Sequence, residues 1–256
     1  MSASKVLFSV LILFLLPLQL SAQQAQFDQA NVFLIDGEYH QALDIYKSMA
    51  DEGHNSGALW QNMGIAYSNI DSLGAAKYYF LKAKNFPETR EKAEQSLNYV
   101  EERFTRRSAV LPKLPWDRFF EFLSENIGLR NLYLTGFLFL NIAAGLLIAA
   151  WFYRHRESVF KKSSAAGLLL SVFIFSCAVY LNYTENRFGT GVIIDRQVTV
   201  FENPDEDSEP LANAFEGYEV RVDLAAGDGE TNSEWKFVRL QNGISGWLSS
   251  ESILYY

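Results

Sequence analysis

Three apolar stretches organise the chain. Val6–Leu16 follows Lys5 and precedes Pro17 and the small pair Ser21-Ala22. A charged start, a short apolar run and a small-residue site predict a secretory signal over residues 1–22, cleaved before Gln23; an uncleaved signal anchor is the alternative. From Asn131 to Tyr153 there are 23 positions without a charge, and from Ser163 to Thr184 there are 22. At 1.5 Å per residue each run reaches about 33 Å, enough to cross a hydrocarbon core of about 30 Å. Transmembrane helices are therefore expected over 131–153 and 163–184. Trp151, Phe152 and Tyr153 close the first run, and Tyr180 and Tyr183 lie near the far end of the second, as interfacial aromatics do. The loop between them, 154–162, reads RHRESVFKK, four Lys/Arg against Glu157. The positive-inside rule predicts that this loop is cytoplasmic. The signal and the loop then agree in placing both flanking regions on the outer side.

Neither run contains Asp, Glu, Lys, Arg or His. An ion pathway or proton relay would have nothing to run on. Among the polar groups inside, Asn141, Ser171, Ser176 and Cys177 could form interhelical contacts. Gly145/Ala149 and Gly167/Ser171 have small-xxx-small spacing, which reads as packing within a helical hairpin.

Residues 23–107 match themselves at an offset of 34. Ala30 meets Gly64, Phe33 meets Tyr67, Ala42 meets Ala76, and Tyr46 meets Phe80. The second copy carries Trp60, Met63-Gly64, Tyr67, Ala76, Phe80, Ala83 and Pro87. The first carries Gly37-Glu38-Tyr39 and then Ala42. Period and residue types resemble the tetratricopeptide (TPR) repeat. A further helix, about Glu88 to Arg106, would cap the open apolar face with Ala93, Leu97, Val100 and Phe104. Repeats of this kind build a concave surface from the first helix of each pair. By that resemblance Asn31, Gln61, Ile65 and Asn69 face a partner-binding groove. Ordinary solvated polar positions on a helical hairpin are the alternative.

Between repeats and membrane, the linker 108–130 breaks the helical pattern at Pro112 and Pro115. Trp116, Phe119, Phe120, Phe122 and Leu123 then alternate with Asp117, Arg118, Glu121 and Glu125. This fits a short amphipathic helix lying in the bilayer interface, or else a continuation of the cap.

Residues 188–256 read as short strands. Gly191–Val200 is rich in Val, Ile and Thr, and Asn203-Pro204-Asp205 is a turn. Tyr218–Leu224 alternates apolar and charged residues, 225–233 is a Gly/Asp/Asn loop, and Trp235–Leu240 and Ile244–Leu248 flank Gln241-Asn242-Gly243. A small barrel is expected. The ending Trp235-Lys-Phe-Val-Arg-Leu, then Asn242-Gly-Ile-Ser-Gly246-Trp247, resembles a bacterial SH3-type domain. The opening Val198-Thr-Val-Phe-Glu-Asn-Pro204 departs from the pattern usual there. Gly246 is expected to allow close backbone approach, and Trp247 to pack rather than bind.

Charge adds to this division. The net charge is −8 over 256 residues, with 22 Lys+Arg against 30 Asp+Glu. Residues 184–256 alone carry 5 basic and 14 acidic residues, whereas 108–183 carry 7 basic and 4 acidic. An acidic chain without a basic stripe argues against nucleic acid as a partner. One cysteine and three scattered histidines leave no disulfide framework, metal site or catalytic triad to expect. There is no Gly-rich phosphate loop, HExxH, GxSxG or CxxC. Neither an enzyme nor a cofactor is expected.

The expected fold is multidomain: an all-α TPR-like helical repeat, a transmembrane helical hairpin and a small all-β SH3-like barrel. That order of parts, behind a signal sequence, resembles BatE-type proteins of bacterial aerotolerance operons. The resemblance implies a scaffold in the inner (cytoplasmic) membrane with both modules in the periplasm. It implies a link to stress or oxygen tolerance, and partners among envelope membrane proteins, including von Willebrand A-type domain proteins. Peptidoglycan is the alternative partner, through the SH3-type domain.

Overall fold

The computed structural model describes residues 23–106, 110–112, 114–226 and 234–256. The signal expected over 1–22 and most of the loop expected over 225–233 lie outside the described residues. The fold mixes helices with a seven-stranded antiparallel sheet. The chain divides into two compact units.

The first unit begins with five helices: α1 (residues 23–35), α2 (Tyr39–Asp51), α3 (Gly57–Asn69), α4 (Leu73–Lys84) and α5 (Arg90–Arg103). The 34-residue offset recurs in their backbone. Glu38 N–H donates to Phe33 O at 2.8 Å, and Ser72 N–H to Tyr67 O at 3.0 Å. Ala42 N–H reaches Glu38 O at 3.1 Å, and Ala76 N–H reaches Ser72 O at 3.0 Å. Gly37 has φ +80°, and 34 residues later Asp71 has φ +61°. The same turn is thus made twice, the second time by a residue that tolerates the left-handed region less well than glycine. Ala30, Ala42 and Ala76 are fully buried, and a Cβ on Gly64 would lie 2.5 Å from the Phe80 ring. Small residues here let helices approach, and Tyr46, Trp60 and Phe80 fill the space between.

Helix α5 is shorter than the sequence suggests. Its start follows Thr89, whose hydroxyl donates to Ala83 O at 2.7 Å. Its end is Phe104, which turns extended at ψ 127°. Ala93, Leu97 and Val100 are buried as the apolar spacing requires.

The sheet contains β1 (Phe188–Ile193), β2 (Gln197–Phe201), β3 (Pro210–Phe215), β4 (Glu219–Asp223), β5 (Trp235–Leu240), β6 (Ser245–Ser249) and β7 (Ile253–Tyr255). Its order is β3-β2-β6-β5-β4-β1-β7, with β3 and β7 at the edges. The Val/Ile/Thr-rich stretch Gly191–Val200 falls in two strands, parted around Asp195-Arg196, where polar side chains interrupt the apolar run. Strand β3 was not expected from the sequence. Inward-facing Ile193, Val200, Val220, Val222, Val238, Leu240, Leu248 and Ile253 form the core. A Cβ on Gly246 would lie 2.5 Å from Phe201 O, so only glycine lets β6 approach β2 this closely.

Within the same unit, α4 packs on the sheet. Gly74 N–H donates to Glu216 Oε1 at 2.7 Å, and Tyr78 Oη donates to Tyr255 O at 3.1 Å. Lys77 Nζ reaches Glu219 at 2.8 Å, Gly217 O at 3.1 Å and Glu101 at 3.3 Å. Phe104 lies over Gly217 (φ +81°), where a Cβ would sit 2.2 Å from Phe104 Cζ.

The second unit holds α6 (Pro115–Phe122), a π turn (Leu123–Ile127), α7 (Leu129–Phe152) and α8 (Glu157–Arg187). Both α7 and the segment Arg154–Arg187 are long and apolar enough to cross a membrane. Helix α6 starts with a proline, and Asp117 Oδ2 accepts from Leu114 N–H at 3.1 Å. Its Phe120 ring meets Tyr180 at 4.4 Å, while Trp116, Phe119 and Phe122 stay exposed. Ser164 Oγ donates to Ala143 O at 2.7 Å, and Ser171 Oγ to Gly136 O at 2.9 Å, tying α8 to α7. Gly167 lies against Ala143, but Gly145 faces open space with nothing within 4 Å. Of the two small-residue pairs expected inside the hairpin, Gly167/Ser171 lies at its seam, and Gly145 of the other pair faces outward.

Candidate functional site

Helices α3 and α5 flank an open cavity of about 490 Å³. Gln61, Ile65, Ser68 and Asn69 come from α3 at helical spacing, so one face of that helix forms one wall. Lys92, Ser96, Tyr99 and Arg103 form the facing wall on α5, and the Phe80 ring of α4 contributes to the lining. The apolar stripe of α5 turns toward the repeat core, which leaves this polar stripe on its other side.

The walls are tied together by their own polar groups. Gln61 Nε2 donates to Ser96 Oγ at 2.9 Å. Arg103 donates to Ser68 O at 3.3 Å and to Asp71 Oδ1 at 2.8 Å, a cation at the carbonyl end of α3. Asn69 Nδ2 is held by Ile65 O at 2.8 Å. Tyr99 is 59% exposed, and the Arg103 guanidinium lies 5.6 Å from its ring centre. Two cations, Lys92 and Arg103, line the cavity, and no carboxylate does.

One atom is left over. Gln61 is 7% exposed, yet its Oε1 has no hydrogen-bond partner. A buried carbonyl oxygen without a donor costs about 1–3 kcal/mol. An ordered water or a donor from a docked segment satisfies such a group.

Three of the four groove residues expected from the sequence, Gln61, Ile65 and Asn69, therefore line one cavity. Asn31 does not. Its Oδ1 accepts from Tyr46 Oη at 2.7 Å and from Asn62 Nδ2 at 2.8 Å, which joins α1, α2 and α3. Tyr46 is fully buried, and burial pushes its phenol up to about 12. Asn31 thus satisfies a core tyrosine and does not line this cavity. Sequence reasoning missed Ser96, Tyr99 and Arg103, because α5 was read through its apolar side alone.

On the sheet, Trp247 is half-buried and meets Phe237 edge-on at 5.3 Å. Phe201 and Trp235 meet at 5.8 Å. Register and alternation put all four rings on the side opposite the core. Among the described residues, no group of three or more His, Cys, Asp or Glu side chains is placed to hold a metal. No protein-family model and no curated protein matches this chain.

Proposed function

We propose that this chain is a membrane-anchored protein-interaction scaffold of a bacterial envelope complex, acting by binding and not by catalysis. The observation that carries the reading is the cavity between α3 and α5 with its unfilled buried acceptor, Gln61 Oε1. An extended segment of a partner would supply the missing donor from its main chain. The 34-residue recurrence of turns and helix-capping bonds supports a TPR-like reading of 23–107. The outward apolar faces of α7 and α8 support a hairpin that crosses the inner membrane. The basic loop 154–162 then faces the cytoplasm, with the TPR-like and SH3-type modules on the periplasmic side. Exposed Trp116, Phe119 and Phe122 suit an α6 that lies in the bilayer interface. The resemblance to BatE-type proteins adds stress or oxygen tolerance as the setting, and membrane proteins with von Willebrand A-type domains as partners.

The test is in-cell crosslinking of the tagged full-length protein, detergent extraction and mass spectrometry. A few integral-membrane proteins in fixed ratio are expected, and Gln61→Ala with Asn69→Ala should lose them while the protein stays folded. Unchanged partner recovery from that variant would remove the groove from the account.

A second reading is recognition of cell-wall peptide by the SH3-type domain. It is favoured by the outward aromatic group Phe201, Trp235, Phe237 and Trp247. Co-sedimentation of the full chain with peptidoglycan, weakened by Trp247→Ala, would support it. No co-sedimentation at low salt would eliminate it.

A further inference from the structure

Helix α7 carries one buried heptad seam and more than one exposed. The first runs Leu132, Gly136, Phe139, Ala143, Leu146 and Ala150, all buried or half-buried. It meets the matching seam of α8, which includes Ser164, Gly167, Ser171 and Ala178, through the serine hydrogen bonds described above. Of the exposed seams, the one that holds both Asn141 and Gly145 runs Leu134, Leu138, Asn141, Gly145, Ile148 and Phe152. Its spacing alternates four and three, the repeat that keeps one face on a partner helix over several turns.

Asn141 stands in the middle of this open seam. It is 12 residues from one end of Leu129–Phe152 and 11 from the other. That puts it about 17 Å from each end, close to the bilayer midplane. The polar hydroxyls of the spans have no such problem. Ser164 and Ser171 donate across the hairpin, and Ser176 donates to Val172 O on its own helix. Asn141 uses one N–H on Phe137 O at 2.7 Å. Its other N–H and its Oδ1 have no partner among the described residues. Lipid tails offer neither donor nor acceptor.

We propose that the outward seam of α7 is a homodimer interface, in which Asn141 of two copies exchange hydrogen bonds at the membrane midplane. The inference rests on the reading of α7 as a membrane span. A second copy fits better than a foreign helix for three reasons. A carboxamide is self-complementary, since each copy has one spare donor and one acceptor. Two copies inserted with the same topology hold Asn141 at the same depth, side by side in a parallel pair. Gly145, one turn away with open space at its Cβ position, lets the two backbones approach beside the amides. A two-fold axis through that point makes the contact closed, so the product is a dimer and not a filament.

The test uses full-length protein in native membranes, with Cys177→Ala removing the one native thiol. Cysteines are placed on the seam (Leu138→Cys or Gly145→Cys) and off it (Leu140→Cys or Leu147→Cys). Oxidation should give disulfide-linked dimers from the seam positions and not from the others. Asn141→Val should weaken the dimer about tenfold, and Asn141→Gln should largely restore it. Equal crosslinking at all four sites, none at any, or adducts to a different protein from the seam sites would overturn the proposal. Alkaline carbonate extraction of the same membranes separates the two layers of the argument. Protein released by carbonate would overturn the membrane reading and the dimer with it, whereas protein retained but uncrosslinked would overturn the dimer alone.

Discussion

Lys77 on α4 and Gln61 on α3 are equally buried, each 7% exposed, and they have opposite fates. Lys77 has three N–H donors and three acceptors: Glu219, Glu101 and the Gly217 carbonyl. Gln61 has a partner for its amide nitrogen and none for its oxygen. The α4 face is finished, because the sheet supplies what the ammonium needs. Between α3 and α5, Gln61 Oε1 has no partner among the described residues, and under the proposed reading a docked segment supplies the donor. In this pair of sites, complete satisfaction marks structure and incomplete satisfaction marks the place to look for binding.

The sharpest break of this contrast is Lys77→Met. It strands Glu219 and the Gly217 carbonyl and should cost about 2–4 kcal/mol, below the full cost of breaking a deeply buried pair because Glu101 is half-exposed. Denaturant titration of the detergent-solubilised full chain, followed by tryptophan fluorescence, would measure it. Gly217→Val should cost about 2–3 kcal/mol, since its φ is +81° and its Cβ would strike the Phe104 ring. Faster hydrogen exchange around residues 215–219 would report it.

Alkaline pH probes the buried Tyr46. Burial pushes its phenol up to about 12. Well below pH 10 that phenol is protonated, folded or unfolded. Between about pH 10 and 12 only the unfolded chain ionises, so stability should fall as pH rises through that window. A denaturation series over that range should show the loss, and Tyr46→Phe should blunt it.

Gln61→Met carries the smallest stability change and the most diagnostic one. It removes the unpaired buried acceptor and also the Gln61 Nε2–Ser96 Oγ hydrogen bond, so the two effects offset and stability should move by no more than about 1 kcal/mol. Partner recovery should fall about tenfold in the same protein. A residue that only supported the fold would not lose the partner at nearly unchanged stability.

Much of the first unit was legible because its cues are local. The 34-residue offset needs only neighbouring turns, and Trp235–Leu240, closed by the turn Gln241-Asn242-Gly243, has the bounds of β5. Strand β3, Pro210-Leu-Ala-Asn-Ala-Phe215, has no β-branched residue, so nothing in its composition announced a strand. The packing of α4 on the sheet was not legible either. Its bonds join residues about 140 positions apart, and Lys77 read alone is an ordinary solvated helix cation. For the candidate site, Gln61, Ile65 and Asn69 were named by the resemblance to TPR repeats, and they lie on one face of α3. Asn31 was named by the same resemblance, but its Oδ1 accepts from the Tyr46 hydroxyl, a contact between helices that the sequence does not show.

The most direct test of the central claim is a photo-crosslinking amino acid placed at Tyr99, on the rim of the cavity. A second goes at Ile35, which is 82% exposed and does not line the cavity. In living cells, the Tyr99 position should give a few discrete adducts with envelope membrane proteins, and they should disappear when Gln61→Met is added. The Ile35 position should give none of these. Adducts that are the same from both positions, or that persist at Tyr99 in the presence of Gln61→Met, would contradict the account.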